Sequence, residues 1–160
     1  MPLLRDAARD PRWRVREGVA MALQRLGADD PSRTLDAAEG LLDGDPLQRR
    51  AAVAAVAEPA ILARPADARR AIALLDAATA SLVAEEDRRD GDVRVLRRAL
   101  AYAWSVVVAA DPAAGRPAME RWLSDPDPDV RWVMRRNLGK ARLARADPEW
   151  TARCSAALAP

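Results

Sequence analysis

DPDPDVRWVMRRNL, residues Asp125–Leu138, has a counterpart near the other end of the chain, DPRWRVREGVAMAL at Asp10–Leu23. Both place Asp-Pro ahead of an aromatic residue, arginines and an apolar run. Asp-Pro recurs at Asp10, Asp30, Asp45, Asp111, Asp125, Asp127 and Asp147. An aspartate at a helix N-cap accepts hydrogen bonds from free backbone N–H groups and opposes the positive end of the helix. Proline at the first helical position lacks an N–H that would be unpaired there, and its φ is preset. The pair therefore punctuates helix starts, and further starts are expected near Pro65 and Asp92.

Reading between these marks predicts helices over 2–9, 11–27, 31–43, 46–57, 66–86, 92–110, 112–124, 128–145 and 148–158. Periodicity supports them. Val15, Val19, Ala22, Leu23 and Leu26 fall on one arc of the second, and Val130, Val133, Met134, Ala141 and Ala144 on one arc of the eighth. No segment alternates apolar and polar residues as a half-buried strand does. The fold class expected is all-α.

Aligned under one another, alternate helices repeat a phrase. Asp10 stands six residues before Arg16, Asp43 six before Arg49, and Asp125 six before Arg131; Asp92-Val93-Arg94 matches Asp129-Val130-Arg131. The arginines Arg16, Arg49, Arg94 and Arg131 are 33, 45 and 37 residues apart, a period typical of helix-pair repeats.

On these residues the chain resembles the HEAT-repeat family. Those that carry the likeness are the turn aspartate, the Val-Arg pairs Val15-Arg16, Val93-Arg94 and Val130-Arg131, and the small or apolar residues that follow. The segment WRVRE (Trp13–Glu17) is similar to stretches of bacterial HEAT-like proteins. The resemblance implies a right-handed α-solenoid of about four stacked antiparallel helix pairs, with a short first helix and a single closing C-terminal helix. It divides the single domain 1–160 into units 1–28, 29–63, 64–110, 111–146 and a closing helix 147–160. It also implies that Asp10, Asp43, Arg49, Asp125 and Asp129 are caps or ladder residues bonding between neighbouring turns, and gives Arg16 and Arg131 the same structural reading. Leu47-Gln48-Arg49 departs from the Val-Arg pattern. Such folds serve as scaffolds and binding surfaces for many kinds of partner.

Composition narrows the chemistry. The chain has 160 residues, no histidine and one cysteine, Cys154. That combination removes the commonest general base, ordinary structural zinc sites and Cys-His catalysis. Neither familiar glycine-rich phosphate loop nor a nucleophile elbow is present. Most carboxylates lie at predicted helix starts, and mid-helix Asp36, Asp76 and Glu120 have no partner that the sequence identifies. No catalytic residue, cofactor or metal ligand is nominated. A start without a signal-peptide pattern, no apolar run long enough for a bilayer and a lone cysteine lead to the expectation of a cytoplasmic protein without a membrane partner.

Formal net charge is +2, from 26 basic and 24 acidic residues, all the basic ones arginine except Lys140. An arginine excess of this kind accompanies a GC-rich genome, so arginine counts are discounted as evidence of phosphate binding. By segment the charge runs +3 over 1–28, −6 over 29–92, +1 over 93–127 and +4 over 128–160. The acidic middle interrupts any continuous cationic groove. On the eighth predicted helix Arg131, Arg135 and Arg142 project within about 40° of one another. With Arg16 they are the candidate contacts to a partner or to phosphate.

Two functions follow. The first is a non-catalytic scaffold or adaptor that binds a macromolecular, most simply a protein, partner. The alternative is a nucleic-acid binder similar to the HEAT-like DNA-alkylation-repair proteins, which grip DNA on a basic concave face with tryptophans. The five tryptophans, Trp13, Trp104, Trp122, Trp132 and Trp150, do not form one repeated column, so packing between repeats is expected of them. A DNA binder requires an unbroken basic face with accessible tryptophan; an adaptor requires a mixed or apolar patch. The short N-terminal segment leaves an edge around Leu3, Leu4, Val19 and Leu23 as a candidate surface for self-association.

Overall fold

The computed structural model describes residues 2–158, all of whose regular structure is helical. Ten α-helices follow in order: α1 Pro2–Ala7, α2 Trp13–Leu26, α3 Pro31–Glu39, α4 Pro46–Val56, α5 Pro65–Ala84, α6 Gly91–Ala110, α7 Pro112–Leu123, α8 Pro128–Leu138, α9 Ala141–Ala146 and α10 Pro148–Ala157. The expected units 1–28 and 147–160 reach beyond these bounds at residues 1, 159 and 160, which lie outside the described residues.

Aspartate starts six of these helices. The side chains of Asp30, Asp45, Asp90, Asp111, Asp127 and Asp147 each accept from a backbone N–H in the first turn of the helix that follows. Asp45 and Gln48 complete a reciprocal capping box. Asp10 departs from this pattern. The helix predicted from residue 11 begins at Trp13, with Arg12 at the N-cap and no side-chain cap. Asp10 instead accepts from the Arg12 N–H at 2.8 Å and from its guanidinium at 2.8 and 2.9 Å. Asp43 is exposed and takes no part in a side-chain hydrogen bond among the described residues; the neighbouring Asp45 is the cap.

The eighth predicted helix is two helices. Gly139 ends α8, with its N–H donating to the Arg135 carbonyl, and the chain restarts at Ala141. Glycine is a poor interior helix residue. The break lets α9 turn to pack on α6 and α10 and bury Leu143. Ala141 and Ala144, assigned by periodicity to the core arc, are exposed as a result.

Packing runs in two rows. α2, α4, α6 and α8 lie against one another in that order, and α3, α5 and α7 do the same, with α10 reached from α7, α8 and α9. α6 is central and touches α4, α5, α7, α8 and α9. One continuous apolar core joins the rows from Ala8 to Leu158. Most buried polar groups are paired, as a low-dielectric interior requires, with Arg97 Nε and Asp111 Oδ2 the exceptions among the described residues. Trp104 is fully buried and donates its indole N–H to Thr79 Oγ1 at 3.0 Å. Buried Asn137 donates to the carbonyls of Leu100 and Val133 and accepts from the Ser105 N–H, which ties α8 to α6.

Polar rungs cross between helices one structural period apart. In the α3–α5–α7–α10 row, Asp36 pairs with Arg70, Asp76 accepts from the Trp122 indole and Glu120 accepts from the Trp150 indole. These are the three mid-helix carboxylates for which the sequence offered no partner. At the N-terminal ends of the same row, Arg69 reaches the α7 cap Asp111 at 3.6 Å, and Arg116 reaches the α10 cap Asp147 at 2.6 Å. Arg69 and Arg116 both stand at the fifth position of their helices.

Candidate partner-binding cleft

The nominated arginines do not share one surface. Arg16 donates to the backbone carbonyls of Asp10 and Pro11 at 2.6 and 3.0 Å. Its partner is therefore the turn itself, not the Asp10 carboxylate. Arg49 does likewise to Leu42 O at 3.1 Å, and it also pairs with Glu85 at the end of the next helix at 2.6 Å. Arg131 and Arg135 turn to the carbonyl of Leu158 at 3.5 and 3.0 Å. Arg142, carried away by the break after Leu138, donates to the Tyr102 hydroxyl at 2.9 Å. The stripe predicted along one continuous helix is thereby divided between the closing end of the chain and the face of α6.

Asp125 and Asp129 belong to a charged cluster that the sequence did not reveal. Asp125 accepts from the Asp127 N–H. Asp129 is nearly buried and receives both Arg88, at 3.1 Å, and Arg97. Arg88 also holds Asp127 at 2.8 Å and the carbonyls of Glu85 and Val83. Burial pushes the Asp127 carboxyl up, but the bonds from Arg88 and from the Val130 and Asp129 N–H groups outweigh it, and the net displacement is downward from 3.8. At the opposite end, hydrogen bonds from Arg12 hold Asp10 at about 2. Both clusters organise turns.

The tryptophans divide by exposure. Trp104 and Trp150 are buried, and Trp122 packs partly buried against the core. Trp132 is covered by the guanidinium groups of Arg97 and Arg136, at 4.6 and 6.0 Å from the ring centre. Trp13 contradicts the packing expectation. It is 60 % exposed, because α2 begins at this residue and projects it from the first turn.

Trp13 stands at one end of a cleft formed by α2, α4 and α6. Three hollows of about 450, 340 and 480 Å³ adjoin. The first is lined by Trp13, Arg16, Glu17, Arg50, Val95, Arg98 and Ala99. The second shares Glu17, Arg50 and Ala99 with it and adds Gln24, Ala54, Ala57, Glu58 and Tyr102. The third shares Tyr102 and continues through Leu62, Val106, Ala109 and Arg142. Each volume is in the range of a small-molecule site. Their openness and arrangement in a line suit a chain segment better than a compact ligand.

Alanines at 54, 57 and 99 let the cleft approach the helix backbones, while charged side chains stand at its sides. Arg50 pairs with Glu17 at 2.5 Å. Arg98 is exposed and has no ion-pair or hydrogen-bond partner among the described residues. Lys140 and Arg142 both lie over the Tyr102 ring, at 5.6 and 4.7 Å from its centre. Of these residues the sequence nominated Arg16 and Arg142 alone; Glu17, Arg50, Arg98 and Tyr102 were missed. One available signal was the spacing of Val95, Ala99, Tyr102, Val106 and Ala109, hidden within a helix that is apolar on several sides.

The proposed self-association edge is reduced to its outer part. Val19 and Leu23 are 3 % and 0 % exposed, held under α3 and α4, whereas Leu3 is 80 % exposed. No group of three or more metal-ligating side chains is present among the described residues. No helix among them is long and apolar enough to cross a membrane. Comparison with protein-family models, with curated proteins and with solved structures finds no match for this chain.

Proposed function

We propose that this protein is a HEAT-like α-solenoid adaptor that binds a partner protein through the cleft of its α2, α4 and α6 helices. Its stacked helix pairs supply a preformed surface, so little conformational entropy is lost in the scaffold when the partner docks. The single observation that carries the reading is the composition of the cleft. Exposed Trp13 and Tyr102, small alanines, four arginines and the carboxylates Glu17 and Glu58 line one continuous hollow.

The mixed lining also separates this reading from nucleic-acid binding. A phosphate backbone would pass Glu58 midway along the cleft, beside a Glu17 that Arg50 already pairs, and a fixed anion there opposes it. Trp132, beside the arginines of α8, is half-buried and already stacked by the guanidinium groups of Arg97 and Arg136, which compete with a base for its ring.

The test is site-specific photo-crosslinking in cells, with a photoreactive amino acid at Ala99 in the cleft or at the exposed Ala80 of α5. Protein adducts from position 99 and none from position 80 are expected. The result that overturns the reading is nucleic-acid adducts at position 99, with duplex or single-stranded DNA binding that falls steeply between roughly 50 and 200 mM salt.

A further inference from the structure

Val95, Ala99, Tyr102, Val106 and Ala109 of α6 all line the cleft. Their spacing alternates four and three residues over two heptads. That is the seam by which one helix packs along another, and a rise of about 1.5 Å per residue makes it about 21 Å long. The opposite side of α6, through Leu96, Leu100, Ala103, Trp104 and Val107, is already buried in the core. The seam is therefore a second, partly open apolar face: Tyr102 at its centre is 46 % exposed and Val95, Ala99 and Ala109 are half-buried, while Val106 is 3 % exposed and already belongs to the core.

The charges beside the seam say what covers it. Away from the trough Arg49, Arg64, Arg70, Arg88, Arg97, Arg116 and Arg121 form ion pairs with carboxylates, and within it Arg50 does so with Glu17. Arg16, Arg98 and Arg142 of the trough do not. Arg98 has no carboxylate within ion-pair distance, Arg142 bonds to a neutral phenol and Arg16 to backbone carbonyls. Lys140 stands beside the same phenol ring. The trough thus carries Arg16, Arg50, Arg98 and Arg142 against Glu17 and Glu58, with Lys140 beside Tyr102, a surplus of positive charge, although Asp10 and Asp92 stand near Arg16.

Resting on the protein-binding reading above, we infer that the α6 trough receives an acidic amphipathic helix of the partner, about four turns long. Its apolar residues recur at three- and four-residue intervals and interleave with Val95, Ala99, Tyr102 and Ala109. Its carboxylates lie near the two ends, facing Arg16 and Arg98 at one and Lys140 and Arg142 at the other. Ala99 sets the depth: its small side chain leaves the space that a partner leucine fills. An extended segment uses this spacing poorly, because its side chains alternate at every second residue.

The experiment is selection of binders to the purified protein from a display library of random 16-residue peptides, followed by anisotropy with the enriched peptides. The variants are Arg98→Glu, Arg142→Glu and Ala99→Trp, each checked by circular dichroism. Arg98→Glu alters an exposed side chain and keeps the test available if Ala99→Trp fails to fold. Enriched peptides that are net negative, gain helicity on binding, carry apolar residues at the 3–4 spacing and weaken roughly tenfold or more with each arginine reversal are expected. Peptides that bind the cleft but are basic or extended overturn this inference and leave the protein-binding reading standing. Binding indifferent to all three substitutions, or no enrichment, overturns both.

Discussion

Trp122 donates its indole N–H to the carboxylate of Asp76 at 2.7 Å, spanning 46 residues of sequence from α7 to α5. The same relationship recurs one step along, where Trp150 of α10 donates to Glu120 of α7 at 2.7 Å. Each tryptophan fills the space between two helices with its ring while its one polar atom is satisfied by the helix before it. Trp122→Phe removes that donor together with part of the ring, so a double-mutant cycle is needed to isolate the bond. The coupling expected is about 1.5–3 kcal/mol, as hydrogen bonds to charged acceptors typically contribute. In a urea-denaturation double-mutant cycle, Asp76→Ala should cost little more in the Trp122→Phe background. Fully additive losses would sever the proposed coupling.

Two helical glycines should respond to alanine with opposite signs. A Cβ on Gly115 would lie 2.8 Å from the Val108 Cα, where α7 crosses α6 with no side chain between the backbones. Gly115→Ala must part the two helices and should destabilise, although alanine is the better helix former. Gly18 in α2 has nothing within 4 Å of the corresponding position. Gly18→Ala should therefore raise stability by about 0.5–1 kcal/mol. Thermal melts of the two variants decide the matter; equal shifts would show that helix propensity alone controls them.

Asp127, held by Arg88, contributes to acid stability. Asp127 titrates below its ordinary 3.8 in the folded chain, so as pH falls the unfolded chain takes up its proton first. The stabilisation is complete above about pH 5, and it is lost progressively as pH drops through the ordinary carboxylate value toward the lower folded one. Arg88→Met should flatten that part of the stability curve in denaturation measured from pH 6 to 2.

Asp129→Asn in the same cluster leaves Arg88 and Arg97 facing a neutral amide in a nearly buried site. A loss of about 2–4 kcal/mol is expected. Asp36→Asn at the exposed Arg70 pair should cost under about 1 kcal/mol. Comparable losses at the two sites would show that burial does not set the strength of these rungs.

Asp10 provides a local check by carbon-detected NMR. Its carboxyl should titrate at about 2, because the Arg12 guanidinium and backbone N–H hydrogen-bond its charged form. Arg12→Ala should return the midpoint toward 3.8, while the caps Asp30 and Asp147 keep their first-turn bonds.

The seven Asp-Pro pairs, together with the absence of strand alternation, determined that the described chain is helical and where most of its helices begin. Capping was legible because it is local: Asp45, Pro46 and Gln48 carry all its parts within four residues. Legibility failed where the next turn competes. Asp10 bonds to Arg12 instead of opening a helix at Pro11, and Gly139 divides a periodic segment that reads as continuous. The partners of Asp36, Asp76, Glu120 and Asp129 lie 30 to 46 residues away. Those distances depend on how far each helix slides and rotates against its neighbour, which packing of the whole core settles and no short window contains. The cleft is of the same kind. A 3.6-residue period tells that α6 has apolar residues on several sides, but which side remains uncovered is decided only when α4, α5, α7 and α8 have taken theirs.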